Sequence, residues 1–131
     1  MKYLLDVNAL VALAFEPHEF HRRVAGWISK AVTEIATCSI SELGFVRILS
    51  GVPRYGLSVA EAQSLLLTIK SAKAQKFTLI CDDHDLSWLP KWVRTSGHIT
   101  DGHLLELARA NDAVLATLDG KIPGAFLIPE M

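Results

Sequence analysis

Cysteine is scarce in this sequence: Cys38 and Cys81 are the only two, and neither belongs to a C-x-x-C or Cys/His spacing that would hold zinc. A disulfide framework is excluded as well, because a chain of 131 residues can build a core without covalent staples. Each cysteine lies in an apolar stretch, Ile-Ala-Thr-Cys38 and Leu-Ile-Cys81, and reads as a small core residue at a strand end. Charge of one sign is also lacking. Thirteen Lys and Arg against fourteen Asp and Glu leave a net charge of -1, which excludes a strongly basic, charge-driven nucleic-acid binder but not a local basic patch. Long hydrophobic runs are missing. Ala9–Phe15 is far shorter than a membrane span, and Asp6 and Asn8 interrupt what would be a signal peptide. A cytoplasmic protein with no membrane contact is expected. Repeats, low-complexity tracts and linkers are absent too, so the length suits one domain over residues 1–131.

What remains is an apolar, patterned chain. Half the residues are hydrophobic and 21% are charged, the balance of a well-packed globular protein. Strand-length apolar runs alternate with segments of helical period. Tyr3-Leu4-Leu5, Glu34–Cys38, Phe77–Cys81 and Ala113–Thr117 read as strands, and Ala125–Ile128 as a short last one. Helices are predicted over Ala9–Phe15, His18–Val32, Ser39 to about Leu49, Val59 to Ala72, and Thr100 to about Ala110. Ser58 with Glu61 has the form of a capping box. Apolar rather than two-faced strands, each followed by helix, imply a parallel sheet covered on both sides, an α/β sandwich. Ligands of such folds bind beyond the carboxyl ends of the strands, near a switch in strand order.

Three acids, Asp6, Glu42 and Asp119, are expected at that edge, and a fourth, Asp101, joins them if its helix starts there. Asp6 ends the first strand, Glu42 lies in the first turn of the helix after the second, Asp101 opens the Thr100–Ala110 helix, and Asp119 follows the fourth strand by two residues. Each also has a structural reading. Asp6 and Asn8 can cap a helix, Ser39-x-x-Glu42 matches a capping box, Asp101 suits a helix N-terminus, and Asp119-Gly120 is an ordinary turn pair. Helical spacing turns Asp101 and Glu42 toward the core rim. Carboxylates gathered at a partly buried edge repel one another unless a cation neutralises them. Oxygen donors suit a hard ion, so Mg²⁺ or Mn²⁺ is the expected ligand.

The same residues resemble the motifs of the PIN-domain family, and specifically of VapC-type toxins from bacterial toxin–antitoxin pairs. Leu4-Leu5-Asp6-Val7-Asn8-Ala9-Leu10 resembles the first motif. Ser39-Ile40-Ser41-Glu42-Leu43-Gly44-Phe45-Val46-Arg47 resembles the second, Thr100-Asp101-Gly102-His103-Leu104-Leu105 the third, and Ala116-Thr117-Leu118-Asp119 the terminal T-x-D. The resemblance spans most of the chain in the family's order. It implies a three-layer α/β/α sandwich with a central parallel sheet and a Mg²⁺- or Mn²⁺-dependent endoribonuclease. Asp6, Glu42 and Asp101 would be the main acids and Asp119 the fourth, with Asn8 and Thr117 as polar supports. It also implies a cognate antitoxin that blocks the acidic groove with a basic residue, an RNA substrate, and a homodimer.

RNA needs positive charge beside the acids. Arg47, on the Glu42 helix, is the expected contact, with Arg22, Arg23, Arg54, Lys91, Arg94 and Lys121 as further candidates and Trp88 or Trp92 as stacking surfaces. Gly102 is expected to let a strand of RNA come close. The five histidines show no ligand spacing and read as surface residues. Other readings are a PIN nuclease of RNA maturation or decay, a non-catalytic PIN-like scaffold, and a Mg²⁺-dependent phosphatase. The last lacks a D-x-D pair, because Asn8 holds the second position.

Overall fold

Five parallel strands form one sheet in the order β3-β2-β1-β4-β5 in the computed structural model, which describes residues 1–130. The strands are β1 (Lys2–Leu5), β2 (Glu34–Cys38), β3 (Lys76–Ile80), β4 (Ala113–Thr117) and β5 (Phe126–Leu127). The helices are α1 (Val7–Ala14), α2 (His21–Ala31), α3 (Ser39–Gly51), α4 (Val59–Lys70) and α5 (Ile99–Ala110). Side chains alternate across a strand, and β1 shows the consequence. Leu5 packs beside Ala116 in a core with α1, α2, α3 and α4. Leu4, paired with Ala36 and Leu115, packs on the opposite face with Leu104, Leu105, Leu107 and Ala108 of α5. The sheet is therefore the middle of a three-layer α/β/α sandwich, as the apolar strands require.

Helix starts explain most differences from the expected boundaries. The Asp6 carboxylate accepts the Ala9 N–H at 2.8 Å, so α1 begins ahead of its apolar run. Ser58 and Glu61 cap α4 reciprocally, at 3.0 and 2.9 Å. At α3 the capping differs from the one anticipated. Cys38 takes the cap position, and the Ser41 hydroxyl accepts the Cys38 N–H and donates to the Cys38 carbonyl, both at 3.0 Å. Ser39 and Glu42 do not form a box, and Glu42 is released for other contacts. Cys38 is buried as expected, but Cys81 lies one residue past β3 and is exposed.

Residues 81–98 cross to α5 through two single 3-10 turns, Leu86–Trp88 and Ser96–His98. Trp92 packs on the α5 core, whereas Trp88 is half exposed. This segment also corrects the role of Gly102, which is buried beneath it rather than open to a ligand. A Cβ there would lie 2.3 Å from Val93 Cγ2 and 3.3 Å from the Pro90 ring, well inside van der Waals contact. Gly102→Ala should overpack this junction and destabilise the chain by about 1–3 kcal/mol. Urea unfolding measures it, and an unchanged midpoint would show that the 90–93 loop yields freely.

Candidate metal centre

The chain order sets where a crevice can open. From β1 the sheet grows through β2 and β3 to one side, then β4 returns to the other side of β1. The gap beyond β1 and β4 is thus the switch point of the sheet. Asp6 ends β1, and its N–H continues the ladder to the Ala116 carbonyl at 3.1 Å. Asp119 stands two residues past β4. α5 runs back toward the start of β4, so its first turn, with Asp101, opens at the same edge.

Asp6 is 3% exposed, and both carboxylate oxygens are engaged. Oδ1 accepts from Ala9, and Oδ2 accepts from the Thr117 hydroxyl at 2.5 Å. Thr117 Oγ1 in turn accepts the Asp119 N–H at 2.9 Å, tying two acids to one buried hydroxyl. Burial pushes the Asp6 pKa up to about 6; the Thr117 and Ala9 hydrogen bonds oppose this, while the charges of Asp101 and Asp119 add to it. Asp101 is raised as well, first by burial and then by Asp119, with His98 opposing. None of the three acids has an ion-pair partner within 4.0 Å among the described residues.

The cleft has two arms that meet at Asp6 and Asn8. One, of about 270 Å³, carries Asp119. The other, also about 270 Å³, carries Asp101, Thr100 and Arg47. The structure thus brings together Asp6, Asn8, Asp101, Asp119, Thr117 and Arg47. Glu42 is not with them. Ile40, Gly44, Arg47 and Ile48 form the face of α3 that lines the Asp101 arm. Glu42, Leu43 and Val46 form a different face, against α4. There Glu42 Oε2 accepts from Lys70 Nζ at 2.5 Å and from the Thr37 hydroxyl at 2.6 Å. The expected four-acid cluster is therefore three acids, because a lysine on α4 satisfies the fourth outside the cleft.

Among the other expected contacts, Arg23 is structural: its guanidinium donates to the Ile128 carbonyl at 2.5 and 3.0 Å. Arg22, Lys91, Arg94 and Lys121 line neither arm. Two histidines depart from the surface reading. His103 Nε2 lies 2.5 Å from Asp82 Oδ2, with only 15% of either side chain exposed. The His84 side chain, 5% exposed, stacks on Trp88 at 4.1 Å. The Asp82–His103 contact pins α5 two residues beyond Asp101. The sequence clue was a polar residue, His103, set between the buried Gly102 and Leu104.

No three His, Cys, Asp or Glu side chains among the described residues converge into a ready cage for a metal. So sparse a set is compatible with Mg²⁺, which uses one or two carboxylates and keeps water and substrate oxygens for the rest. The donor set is all oxygen, and Asp6 is a buried acid without a cation. The residues fit a hard divalent ion.

The model of the PIN domain family matches residues 3–124. Ribonuclease VapC38 of Mycobacterium tuberculosis is 35% identical over 127 residues, covering 91% of this chain and 86% of that protein. Ribonuclease VapC44 of the same species is 35% identical over 137 residues, with 95% and 94% covered. Among solved structures, Mycobacterium tuberculosis VapC20, a sarcin–ricin-loop-cleaving toxin, aligns with a TM-score of 0.69 at 13% identity, covering 98% of this chain and 99% of that one. Rickettsia felis VapBC2 bound to a promoter DNA fragment aligns at 0.62 and 21% identity, with 97% of each chain covered. At these identities the structures speak to fold alone.

The raised Asp6 pKa has a stability consequence. Between about pH 4 and pH 6 the folded chain holds a proton that the unfolded chain has released, so this acid costs stability as pH rises through that window. The loss is complete above about pH 6 and is on the order of 3 kcal/mol. Without divalent ions, Asp6→Asn should melt higher than the parent well above pH 6 and lose that advantage below pH 4. Calorimetry at the two pH values in chelator decides it; equal melting shifts at both would refute a buried charge at Asp6.

Proposed function

Because this chain belongs to the PIN-domain family and aligns over nearly its whole length with ribonucleases, we propose that it is a Mg²⁺- or Mn²⁺-dependent endoribonuclease serving as the toxin of a toxin–antitoxin pair. The observation that carries this reading is Asp6. It is a buried carboxylate at the switch point, flanked by the charges of two further acids and with no ion-pair partner within 4.0 Å among the described residues.

Asp6 and Asp101 would hold one ion, with Asp119 as the third acid beside them. The chemistry such an ion supplies is activation of water for hydrolysis and neutralisation of phosphate charge. The chain's own residues do the rest. Ala9 N–H and Thr117 fix the Asp6 carboxylate in one orientation. Thr117 also holds the backbone at Asp119, so both acids move as a unit with β4. Asn8, on the floor shared by the two arms, offers an amide to water or a phosphate oxygen. Arg47 is the one cationic side chain lining the Asp101 arm, and its fork suits phosphate. Glu42 acts in this reading as a clamp between α3 and α4.

The proposed partner is a cognate antitoxin that sets a basic residue among the three acids and so satisfies Asp6 in place of the ion. The likeness to VapC ribonucleases supports that partner. A homodimer is proposed with it, for which the exposed Leu43, Val59 and Leu67 on α3 and α4 are available.

The test is cleavage of RNA by purified protein with Mg²⁺, with Mn²⁺ and with chelator. Asp6→Asn and Asp101→Asn should each slow cleavage by more than about 100-fold, near 3 kcal/mol of barrier, and chelator should abolish it. Glu42→Gln should stay within a few-fold of the parent. RNA cut as fast by Asp6→Asn as by the parent would remove the assignment. A Glu42→Gln protein as inactive as Asp6→Asn would return Glu42 to the centre.

A further inference from the structure

The Asp119 arm of the cleft does not stop at the acids. It continues into a second hollow of about 430 Å³, and His18, Glu19, Arg54 and Tyr55 line both. Together the two spaces fall in the size range of pockets that hold a small organic ligand, roughly 300–1,000 Å³. The walls come from two connections, residues 15–20 between α1 and α2 and residues 52–58 between α3 and α4.

Tyr55 is fixed from behind. Its ring stands edge-on to Phe15 at 5.0 Å, and its N–H donates to the Val52 carbonyl at 3.0 Å. On this platform lies Arg54, with its guanidinium carbon 4.9 Å from the ring centroid and Nη2 donating to Tyr55 Oη at 3.0 Å. Arg23 and Arg109 spend their charge on glutamates, but Arg54 has no carboxylate within 4.0 Å among the described residues. A guanidinium held in place, without an acid, facing a cleft is an anion-binding group.

The opposite wall has another chemistry. His18 Nδ1 accepts the Phe20 N–H at 3.0 Å, which leaves Nε2 as the donor of the neutral ring. Burial holds the His18 pKa below its ordinary value, so the ring is neutral at physiological pH. The Phe20 ring lies beside it, tilted at 5.9 Å, and is exposed. Unpaired bases stack on such aromatic faces. Glu19 at the rim repels a second phosphate, so the arm suits one phosphate and one base rather than a run of backbone.

We propose that this arm is a nucleotide subsite for single-stranded RNA, in which Arg54 takes a phosphate flanking the scissile one and Phe20 with His18 receives the adjoining base. The proposal rests on the ribonuclease reading, and it assigns to the loops before α2 and before α4 the choice of nucleotide on one side of the cut.

The test is made on Asp6→Asn protein without divalent ions, so that binding is read without turnover. The probe is a short fluorescein-labelled single-stranded RNA of mixed sequence, followed by anisotropy over a range of salt. Adding Arg54→Gln should weaken Kd by about tenfold and lower the slope of log K against log salt by about 0.7. Adding Phe20→Ser should weaken Kd by at least about fivefold with the slope unchanged, because stacking releases no counterions. Arg94→Gln, an exposed arginine outside the cleft, is the control and should change neither. Arg54→Gln binding like its parent, or Arg94→Gln reproducing its effect, overturns the subsite. If the unmodified protein cleaves RNA with Mg²⁺ while Arg54→Gln binds normally, the subsite falls and the ribonuclease stands; a protein that neither binds nor cleaves RNA sinks both.

Discussion

A carboxylate buried where the strand order reverses is the constraint on which the rest of this architecture depends. Asp6 performs three structural tasks at once. Its N–H extends the β1–β4 ladder, its Oδ1 starts α1, and its Oδ2 ties β1 to Thr117 on β4. Each task could be done by a neutral residue, and burying the charge carries a penalty that hydrogen bonds only partly offset. Two more acids stand near enough to raise it further. A sequence selected for stability alone would relieve that arrangement, and the proposed cation would give a physical reason to keep it.

The second organising feature is how α3 divides its surface. Ser41, Phe45 and Leu49 face the core, Gly44, Arg47 and Ile48 face the cleft, and Glu42 and Val46 face α4. Gly44 has a reason to lack a side chain, since a Cβ there would lie 2.8 Å from Val7 Cγ2. That close approach brings α3 against α1 and carries Arg47 to the Asp101 arm. The half-turn that separates Arg47 from Glu42 then decides the charge of the centre. Lys70 neutralises the acid outside, and the arginine is left inside with three carboxylates.

Much of this was legible from the chain. The alternation of apolar strands with amphipathic helices specified the layers, and Asp6 and Asp119 stood at strand ends that any parallel sheet brings to one edge, whereas Asp101 joined them only because its helix starts there. Glu42 was not legible in the same way. Its first-turn position was visible, but its direction depended on whether Ser39 or Cys38 took the cap position, and a one-residue change of phase turns a helical side chain by about 100°. Lys70, the residue that captures it, lies 28 positions away, beyond the reach of local pattern. Asp82 and His103 were hidden for the same reason, being 21 residues apart across a segment with no period. Gly102 looked like an opening for a ligand only because its covering loop could not be folded from sequence.

An acidic cleft on a chain of net charge -1 has little long-range pull on RNA. Recognition of the proposed RNA substrate would then come from short-range groups, and the cleft distributes such groups on both sides of Asp6. Arg47 stands in one arm and Arg54 in the other, each without a carboxylate partner among the described residues. An ion held by the acids would supply the positive charge between them. A strand laid across such a row meets attraction only at a few fixed points, so its backbone must adopt one path to satisfy them all. Few contacts also mean weak binding to arbitrary sequences, because non-specific affinity grows with the number of phosphates neutralised. Selectivity in the proposed ribonuclease would therefore follow from this scarcity of charge: an RNA whose shape presents a phosphate to each arginine and a base to the proposed aromatic wall would gain what a generic strand cannot.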